Sequence, residues 1–278
     1  MTTTYKVNLH LLEGCNFHCK FCFAKFDSKG ILNVVQWKYI MKNLKDSGLV
    51  SSVNFAGGEP LAYYGLQELL EYTQQLQLKA SIITNGSLMT AQRAKEIAPY
   101  VDMIGFSIDS FNEKTSVKLG RCDKSNKTFG KNELSELCKV LEQYKVKIKI
   151  NTVVNKLNYT EKVSAYLQGL PIARWKVFKM KPFDNGTFSN KWLNITDEQF
   201  QYFLQRNPHI NRVSEDSMVN SYFIVDANGN LIDNQQDKNV AVGSLLTESF
   251  ESVKAKYNFD EALYQSRYSQ TKLLPSVI

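Results

Sequence analysis

The chain has 278 residues, of which 43% are hydrophobic and 22% charged, and its formal net charge is +7. This length suits one α/β barrel or two small domains, and the composition is that of a soluble globular protein with an anionic ligand or surface as its natural partner. No apolar run reaches the roughly 20 residues that cross a bilayer, the N-terminus does not read as a signal peptide, and five cysteines, three of them clustered, do not indicate a disulfide scaffold. We therefore expect a cytoplasmic protein.

Short runs rich in β-branched and aromatic residues alternate along the chain with stretches of helical periodicity. Strands are predicted over residues 5–11, 52–55, 80–84, 103–108, 146–153 and 174–180. Helices are predicted over residues 34–47, 65–77, 90–98, 131–144, 160–168 and 196–206. Such alternation predicts an α/β protein built as a partial (β/α)6 barrel over residues 1–190. A helix, a hairpin near 221–233, a second helix and a tail would form a C-terminal extension over 191–278 that closes the substrate site.

The loop after the first predicted strand carries three cysteines spaced C-x3-C-x2-C, at Cys15, Cys19 and Cys22. Three thiolates on one tight loop can bind three irons of a [4Fe-4S] cluster and leave the fourth iron open to a small molecule. This arrangement is typical of radical S-adenosylmethionine (SAM) enzymes, in which SAM takes the open position. The alternative is a zinc site completed by His10 or His18, although structural zinc sites usually have two separated ligand pairs.

Small and polar residues follow the next three strands, at the end where a parallel barrel holds its chemistry. The second strand is followed by Ala56-Gly57-Gly58-Glu59-Pro60, and adjacent glycines let the backbone approach a ligand closely. The third strand ends at Thr84 and Asn85, and the fourth at Ser107. Singly, such residues form turns and helix caps. Together at one end of a barrel they predict contacts to the ribose and carboxylate of SAM.

The fifth and sixth predicted strands carry cations on one face. Strand alternation places Lys147, Lys149 and Asn151 together, and likewise Arg174 and Lys176. If the apolar faces pack against the outer helices, these cations point into the barrel, where an unpaired charge costs several kcal/mol, so a polyanion such as a nucleoside triphosphate is required. The alternative is that the two strands lie at a sheet edge with their cations in solvent.

These motifs resemble the viperin family of radical SAM enzymes, and the resemblance covers most of the chain. It is carried by the stretches 8–22, 54–60, 85–88, 109–111, 120–121, 149–151, 174–178 and 221–222. The resemblance implies that CTP, or another ribonucleoside triphosphate, is converted to its 3'-deoxy-3',4'-didehydro analogue, an RNA chain terminator in antiviral (phage) defence. One departure is Ser52, which stands where animal members carry a lysine near the phosphates.

The resemblance also implies the site residues. The metal ligands are Cys15, Cys19 and Cys22. The SAM contacts are Phe21, Gly57, Gly58, Glu59, Thr84, Asn85, Ser107, Arg121 and Val153. The substrate contacts are Asn8, Lys149, Asn151, Arg174, Lys176, Glu215 and Lys272. Tyr222 is the implied general acid for the departing 3'-hydroxyl, with a packed strand tyrosine as the alternative.

The implied partners are the nucleoside triphosphate and a flavodoxin- or ferredoxin-like electron donor, with no nucleic acid and no membrane, and we expect a monomer. Two other functions stay open. A different radical SAM enzyme, for example one acting on a peptide, would usually carry further cysteines for auxiliary clusters or use a glycyl-radical partner. A zinc or nucleic-acid binder without enzymatic activity would share the positive charge. The residues do not indicate the preferred base.

Overall fold

The computed structural model describes residues 4–24, 26, 28, 30–184, 188–215, 220–234 and 239–269. Within these ranges the strands are β1 Tyr5–His10, β2 Val50–Ala56, β3 Lys79–Thr84, β4 Met103–Ser107, β5 Lys147–Val154, β6 Ile172–Lys179, β7 Arg212–Glu215, β8 Phe223–Val225, β9 Asn230–Asp233 and β10 Val240–Ser244. The helices are α1 Val34–Asp46, α2 Leu66–Gln75, α3 Ala91–Ile97, α4 Glu113–Leu119, α5 Lys131–Gln143, α6 Ser164–Leu167, α7 Asp197–Arg206, α8 Phe250–Ala255 and α9 Glu261–Ser269.

All the strands join one sheet in the order β10-β9-β8-β1-β2-β3-β4-β5-β6-β7. Strands β1 to β6 are adjacent and parallel in chain order, as predicted. Strand β7 pairs parallel with β6, and β8 pairs parallel with β1, while β9 and β10 follow antiparallel. The extension after residue 190 therefore adds strands to both sides of the six-stranded sheet.

The sheet curls so that β6 approaches the segments beside β8 and β9. Strand β6 and the residues before β8 are separated by five strands in the sheet, yet Lys176 Nζ donates a hydrogen bond to the Tyr222 hydroxyl. Just beyond β6, Lys181 Nζ donates to the Asn234 carbonyl oxygen at 3.3 Å. A flat sheet could not bring these residues together, which confirms the predicted partial (β/α)6 barrel.

The hydrophobic core lies between the outer face of the sheet and the helices. On β5 and β6, Ile148, Ile150, Trp175 and Val177 are almost completely buried, and the intervening residues face the other way, into the barrel. The indole Nε1 of Trp175 donates to Thr152 Oγ1 at 2.9 Å, which satisfies its one polar group within the core. The alternation read from the sequence is thus confirmed, and it fixes which side chains face the barrel interior.

Several elements differ from the predicted ones. The helix predicted over 160–168 is shortened to α6, because the chain before it forms a side-chain-stabilised turn in which Asn158 Oδ1 accepts from Asn155 N at 2.8 Å. Helix α4 and strands β7 and β10 were not predicted. Helix α4 begins at a cap in which Asn112 Oδ1 accepts from Thr115 N, and ends at Gly120 in the left-handed region. Among the described residues no helix is long and apolar enough to cross a membrane.

Candidate active site

The cysteine loop leaves the end of β1 and is surrounded by N-H donors aimed at sulfur. Phe17 N donates to Cys15 Sγ at 3.4 Å, and the Arg121 guanidinium donates to Cys19 Sγ at 3.4 Å. Burial raises the pKa of the Cys22 thiol to about 11, and the neighbouring Cys19 sulfur adds to the effect. Iron would replace the thiol protons, and the N-H groups would then stabilise the thiolate charge.

The three cysteines are the donor set that a [4Fe-4S] cluster requires. In the described part of the chain, no three His, Cys, Asp or Glu side chains are gathered to hold a single metal ion. A [4Fe-4S] cube makes a different demand, because each of its irons takes one thiolate and the sulfurs surround the cube instead of meeting at one ion. His10, a ligand in the zinc alternative, is instead buried with its ring against Phe26 at a centroid distance of 4.9 Å.

Gly57 and Gly58 pack directly against the cysteine loop. Gly58 N donates to the Leu12 carbonyl oxygen at 2.6 Å. A Cβ atom at Gly57 would lie 2.5 Å from that oxygen, and one at Gly58 would lie 2.0 Å from the Gly14 carbonyl oxygen. Gly57 also has φ +130, a value that other residues rarely adopt. The sequence predicted glycines for close approach to a ligand, and the structure gives them a further role in close approach to this loop.

Glu59 and Thr84 hold the ends of β2 and β3 together. The Glu59 side chain is completely buried, and its carboxylate accepts from Thr84 Oγ1 at 2.7 Å, from Asn85 N at 2.8 Å and from Leu61 N at 3.0 Å. Burial raises the pKa of Glu59, while these hydrogen bonds favour its ionised form. Two of the predicted SAM contacts therefore also fix the backbone at the carboxyl end of the sheet.

Three other predicted SAM contacts meet around one small pocket. Asn85, Ser107 and Arg121 line it together with Phe17 of the cysteine loop. Arg121 Nε forms a buried ion pair with Asp109 Oδ2 at 2.6 Å, and the same guanidinium donates to the Ser107 carbonyl oxygen. Burial disfavours the charge on Arg121, but Asp109 and the Cys19 sulfur outweigh it and raise the arginine pKa. Arg121 therefore joins β4 to the cysteine loop as a fixed cation.

The two predicted apolar SAM contacts lie beside the same loop. Phe21 is buried in a small hydrophobic cluster with Leu119 and Met180, and Val153 and Cys19 pack against it. Val153 belongs to the inward face of β5, two residues after Asn151. The predicted SAM contacts thus lie at the carboxyl ends of β2 to β5 or on the cysteine loop, except Arg121, which follows α4 and reaches both β4 and that loop through its guanidinium.

The three predicted substrate cations of β5 and β6 and Asn151 form two neighbouring cross-strand pairs on the inner face of the sheet. Strand register places Lys149 beside Arg174 and Asn151 beside Lys176. Lys176 is only 5% exposed. The sheet-edge alternative is wrong, because β5 and β6 are flanked by β4 and β7. Lys149, Arg174 and Lys176 therefore face the inside of the curled sheet, as predicted, whereas Lys147, predicted on the same face, is exposed at the start of β5.

Tyr222 and Asn8 reach this space from the other side. The Tyr222 hydroxyl accepts from Lys176 Nζ, which lies 4.9 Å from the tyrosine ring centroid. Asn8 Nδ2 donates to the Phe223 carbonyl oxygen at 3.0 Å, and Asn8 Oδ1 accepts from Asn54 Nδ2 at 2.9 Å. The structure therefore brings the predicted general acid and the cationic strands together.

For two predicted substrate contacts, Glu215 and Lys272, the structure gives only a backbone position or no position. Glu215 is the last residue of β7, with its Cα opposite that of Phe178, and Lys272 lies outside the described residues. Sequence reasoning also missed two residues: Lys6, which shares the inward face of β1 with Asn8, and Asp109, the partner of Arg121. The alternation of β1 was a sufficient signal for Lys6, whereas nothing in the sequence joined Asp109 to Arg121.

Comparison with known proteins agrees with this geometry. The family model of the radical SAM superfamily matches residues 9–162, more than half of the chain, so the protein belongs to that superfamily. Its cofactors are a [4Fe-4S] cluster and SAM. Streptococcus suis SuiB bound to S-adenosylmethionine shares the fold, with a TM-score of 0.69 and 18% identity over 96% of this chain and 68% of that one. Native anSMEcpe with bound AdoMet and Cp18Cys peptide also shares it, with a TM-score of 0.68 and 18% identity over 92% of this chain and 84% of that one.

Sequence relatives narrow the family. The S-adenosylmethionine-dependent nucleotide dehydratase of Selenomonas ruminantium is 41% identical, covering 95% of this chain and 99% of the relative. The enzyme of the same name from Lacinutrix mariniflava is 34% identical, covering 96% of this chain and 56% of the relative. The S-adenosylmethionine-dependent nucleotide dehydratase RSAD2 of Danio rerio is 32% identical, covering 96% of this chain and 77% of the relative. The chain therefore belongs to the S-adenosylmethionine-dependent nucleotide dehydratases, the viperin family.

Proposed function

We propose that this protein removes water from a ribonucleoside triphosphate, CTP or another, and releases the 3'-deoxy-3',4'-didehydro nucleotide as a terminator of viral RNA synthesis. The observation that carries the proposal is the pair of cationic strands: Lys149, Arg174 and Lys176 face the barrel interior below a loop suited to a [4Fe-4S] cluster. A buried group of cations favours a ligand with several negative charges. A nucleotide with its ribose toward the cluster and its phosphates deeper in the barrel meets both conditions.

The cofactors define where the ribose must lie. When bound, the cluster and SAM would supply the radical chemistry that removes a hydrogen atom from the ribose, so ribose C4' must lie beside them. Asn85, Ser107 and Arg121 would contact SAM from the pocket beside the cysteine loop, and Phe21 and Val153 would cover its apolar surface. Gly57, Gly58, Glu59 and Thr84 would hold the backbone of that end in place.

Tyr222 is the proposed general acid. The 3'-hydroxyl is a poor leaving group and needs a proton as its bond to carbon breaks. Lys176 Nζ donates to the Tyr222 oxygen, so the phenolic proton points elsewhere and the ammonium stabilises the negative charge that develops when this proton leaves. Asn8 and Asn151 supply amide groups near the same place for ribose or phosphate oxygens.

The remaining parts of the proposal concern the extension and the partners. Residues 191–278 would close the substrate site, with Glu215 accepting a hydrogen bond from the amino group of the base and Lys272 reaching the phosphates. The electron donor would be a flavodoxin- or ferredoxin-like protein, which supplies one electron for SAM cleavage and a second that reduces the nucleotide after the 3'-hydroxyl leaves as water. We propose a cytoplasmic monomer as the active form.

The test is anaerobic incubation of the reconstituted protein with SAM, dithionite and each of the four ribonucleoside triphosphates in turn. We expect 5'-deoxyadenosine and, for the accepted nucleotide, a product lighter by one water. A Lys176→Met variant should lose nucleotide-dependent turnover, while Lys45→Met, in the last turn of α1, serves as the matched control and should keep it. SAM cleavage that does not depend on any nucleotide would reject the substrate and favour another radical SAM reaction, such as one on a peptide.

A further inference from the structure

The exposed side of the cysteine loop carries cations that the proposed substrate site does not use. Lys20 lies within the loop, directly after Cys19, and its side chain is exposed. Its Nζ lies 5.9 Å from the ring centroid of Trp192, which is half-exposed. Aromatic residues are enriched in protein–protein interfaces, where one side of the ring packs against the partner. This side of the loop is therefore a candidate surface for a partner protein.

The end of α4 is fixed against the same loop by backbone contacts. Lys20 N donates to the Leu119 carbonyl oxygen at 2.9 Å, and His18 N donates to that of Gly120 at 3.1 Å. A Cβ atom at Gly120 would lie 2.4 Å from the His18 carbonyl oxygen, so the close approach depends on glycine. Lys118, in the last turn of α4, is exposed one residue before this contact. A second exposed cation is thus held next to the loop.

The segment after β5 brings a third cation to this surface. Lys156 is exposed, and its backbone N donates to the Leu193 carbonyl oxygen at 2.9 Å, one residue after Trp192. Leu193 packs with Phe21 in the small buried cluster that Cys19 contacts. One apolar layer therefore supports the exposed cations on one side and reaches a predicted iron ligand on the other.

The charges of this surface are mainly positive. We call it the cationic face, and its members are Lys20, Lys118, Lys156, Lys191 and Trp192. Two carboxylates lie near it: Lys191 Nζ pairs with Asp184 at 3.3 Å, and Asp123 accepts hydrogen bonds from N-H groups of its own turn. In the part of the chain that the structure describes, no ion pair joins a carboxylate to the other three lysines. The surface therefore suits an acidic partner.

We infer that the cationic face is the docking surface for a flavodoxin, a small acidic protein with a flavin at its surface. The inference rests on the proposed function and gives its electron donor a place on this chain. Lys20 is bonded to Cys19, so a partner on this face lies within one residue of a predicted iron ligand. One electron leaves the reduced flavin and enters the cluster, and no bond forms or breaks.

The chemistry of the face fits this partner in two ways. Exposed lysines steer an anionic protein to the loop, and the small, polar interface that they form lets it leave after the electron has passed. Trp192 favours a flavin protein over an iron–sulfur donor, because its half-exposed ring can pack against the edge of the flavin.

The experiment measures the binding of an acidic flavodoxin, in its oxidised form, to the anaerobically reconstituted protein by isothermal titration at low and high salt. The test variant combines Lys118→Gln with Lys156→Gln. The matched control combines Lys95→Gln with Lys139→Gln, which removes the same two charges from exposed positions on α3 and α5. Iron content and dithionite-driven SAM cleavage are measured for every variant, because dithionite needs no docking surface.

We expect the test variant to weaken flavodoxin binding by about 5- to 30-fold at low salt, the effect of losing two exposed ion pairs, and by less at high salt. Trp192→Ala should weaken binding by about 10-fold at both salt concentrations, since salt does not screen an apolar contact. The control variant should bind like the parent protein. Iron content and dithionite-driven SAM cleavage should stay unchanged in all three.

Equal affinities in the test and control variants would overturn the inference. Loss of iron or of dithionite-driven SAM cleavage in the test variant would also overturn it, since these lysines would then have a structural role. Tighter binding of an acidic ferredoxin or of an RNA oligonucleotide to this face would reject the flavodoxin. A parent protein that binds flavodoxin here but converts no nucleotide with dithionite would refute the proposed substrate and leave the docking surface in place. If the parent protein converts a nucleotide but binds no flavodoxin, only this inference fails.

Discussion

Replacing Gly58 by alanine should separate the cysteine loop from the end of β2. The added Cβ would lie 2.0 Å from the Gly14 carbonyl oxygen and 2.4 Å from that of Glu13, whereas real Cβ contacts are essentially never shorter than 3.0 Å. The two loops must therefore move apart by at least about 1 Å. Both neighbours are backbone atoms, which cannot turn aside as the end of a flexible side chain could.

The magnitude follows from what this movement breaks. Two backbone hydrogen bonds join the loops, from Gly58 N to Leu12 O at 2.6 Å and from Glu59 N to Gly14 O at 3.0 Å. Each contributes about 1 kcal/mol, and overpacking adds about 1–3 kcal/mol, so we expect the free energy of unfolding to fall by about 3–5 kcal/mol. The displaced thiols should also bind iron less completely.

The assay measures iron and sulfide per chain after anaerobic reconstitution, together with urea unfolding of the apo protein. Gly14→Ala is the matched control within the same contact, because its added Cβ would meet only Leu12 Cδ1, at an ordinary 3.8 Å. We expect Gly14→Ala to retain its cluster. Full iron content in Gly58→Ala, with an unfolding free energy close to that of the parent protein, would refute the reasoning.

Three further predictions address single groups. Tyr222→Phe should lower nucleotide turnover by about 100-fold or more while SAM still binds. Tyr202→Phe, on the exposed side of α7, should keep the parent rate. Equal rates in the two variants would show that Tyr222 is not the general acid. Asp109→Asn should cost about 3–5 kcal/mol in urea unfolding, because it leaves the buried Arg121 charge without its partner, and a loss below about 1 kcal/mol would contradict this. Burial lowers the pKa of His10 from 6.5 to about 4, so between these pH values the unfolded chain binds a proton that the folded chain does not. The free energy of unfolding should therefore fall by about 3 kcal/mol as the pH drops from 6.5 to 4. A His10→Phe variant should lose this contribution to the pH dependence.

The sequence predicted the six parallel strands and the residues that face the barrel interior, because these follow from short-range patterns. Alternation along β5 and β6 separates Ile148 and Trp175 from Lys149 and Lys176 without knowledge of the rest of the chain. The cysteine spacing is equally local. The strand ends also agree to within about two residues, as expected where polar residues follow an apolar run.

What the sequence did not predict depends on contacts between distant segments. Strand β7 is four residues long, and its sequence, RVSE, is strand-forming only because β6 offers an unpaired edge beside it. The Asp109–Arg121 ion pair joins β4 to the loop after α4, and α4 itself was not predicted. Lys6 was overlooked for another reason, since its alternation was readable but a single lysine near a strand start is usually solvated.

Among the residues that the structure describes, one side of the curled sheet is closed by side-chain contacts and not by backbone hydrogen bonds between strands. Between β1 and β6 neighbouring strands are joined by backbone ladders. In the described residues β6 and the segments beside β8 and β9 meet instead through lysine side chains, Lys176 with the Tyr222 hydroxyl and Lys181 with the Asn234 carbonyl oxygen. Such contacts contribute about 1 kcal/mol each, far less than a strand ladder. Opening along this seam would break side-chain contacts and leave the backbone register of β1 to β6 unchanged.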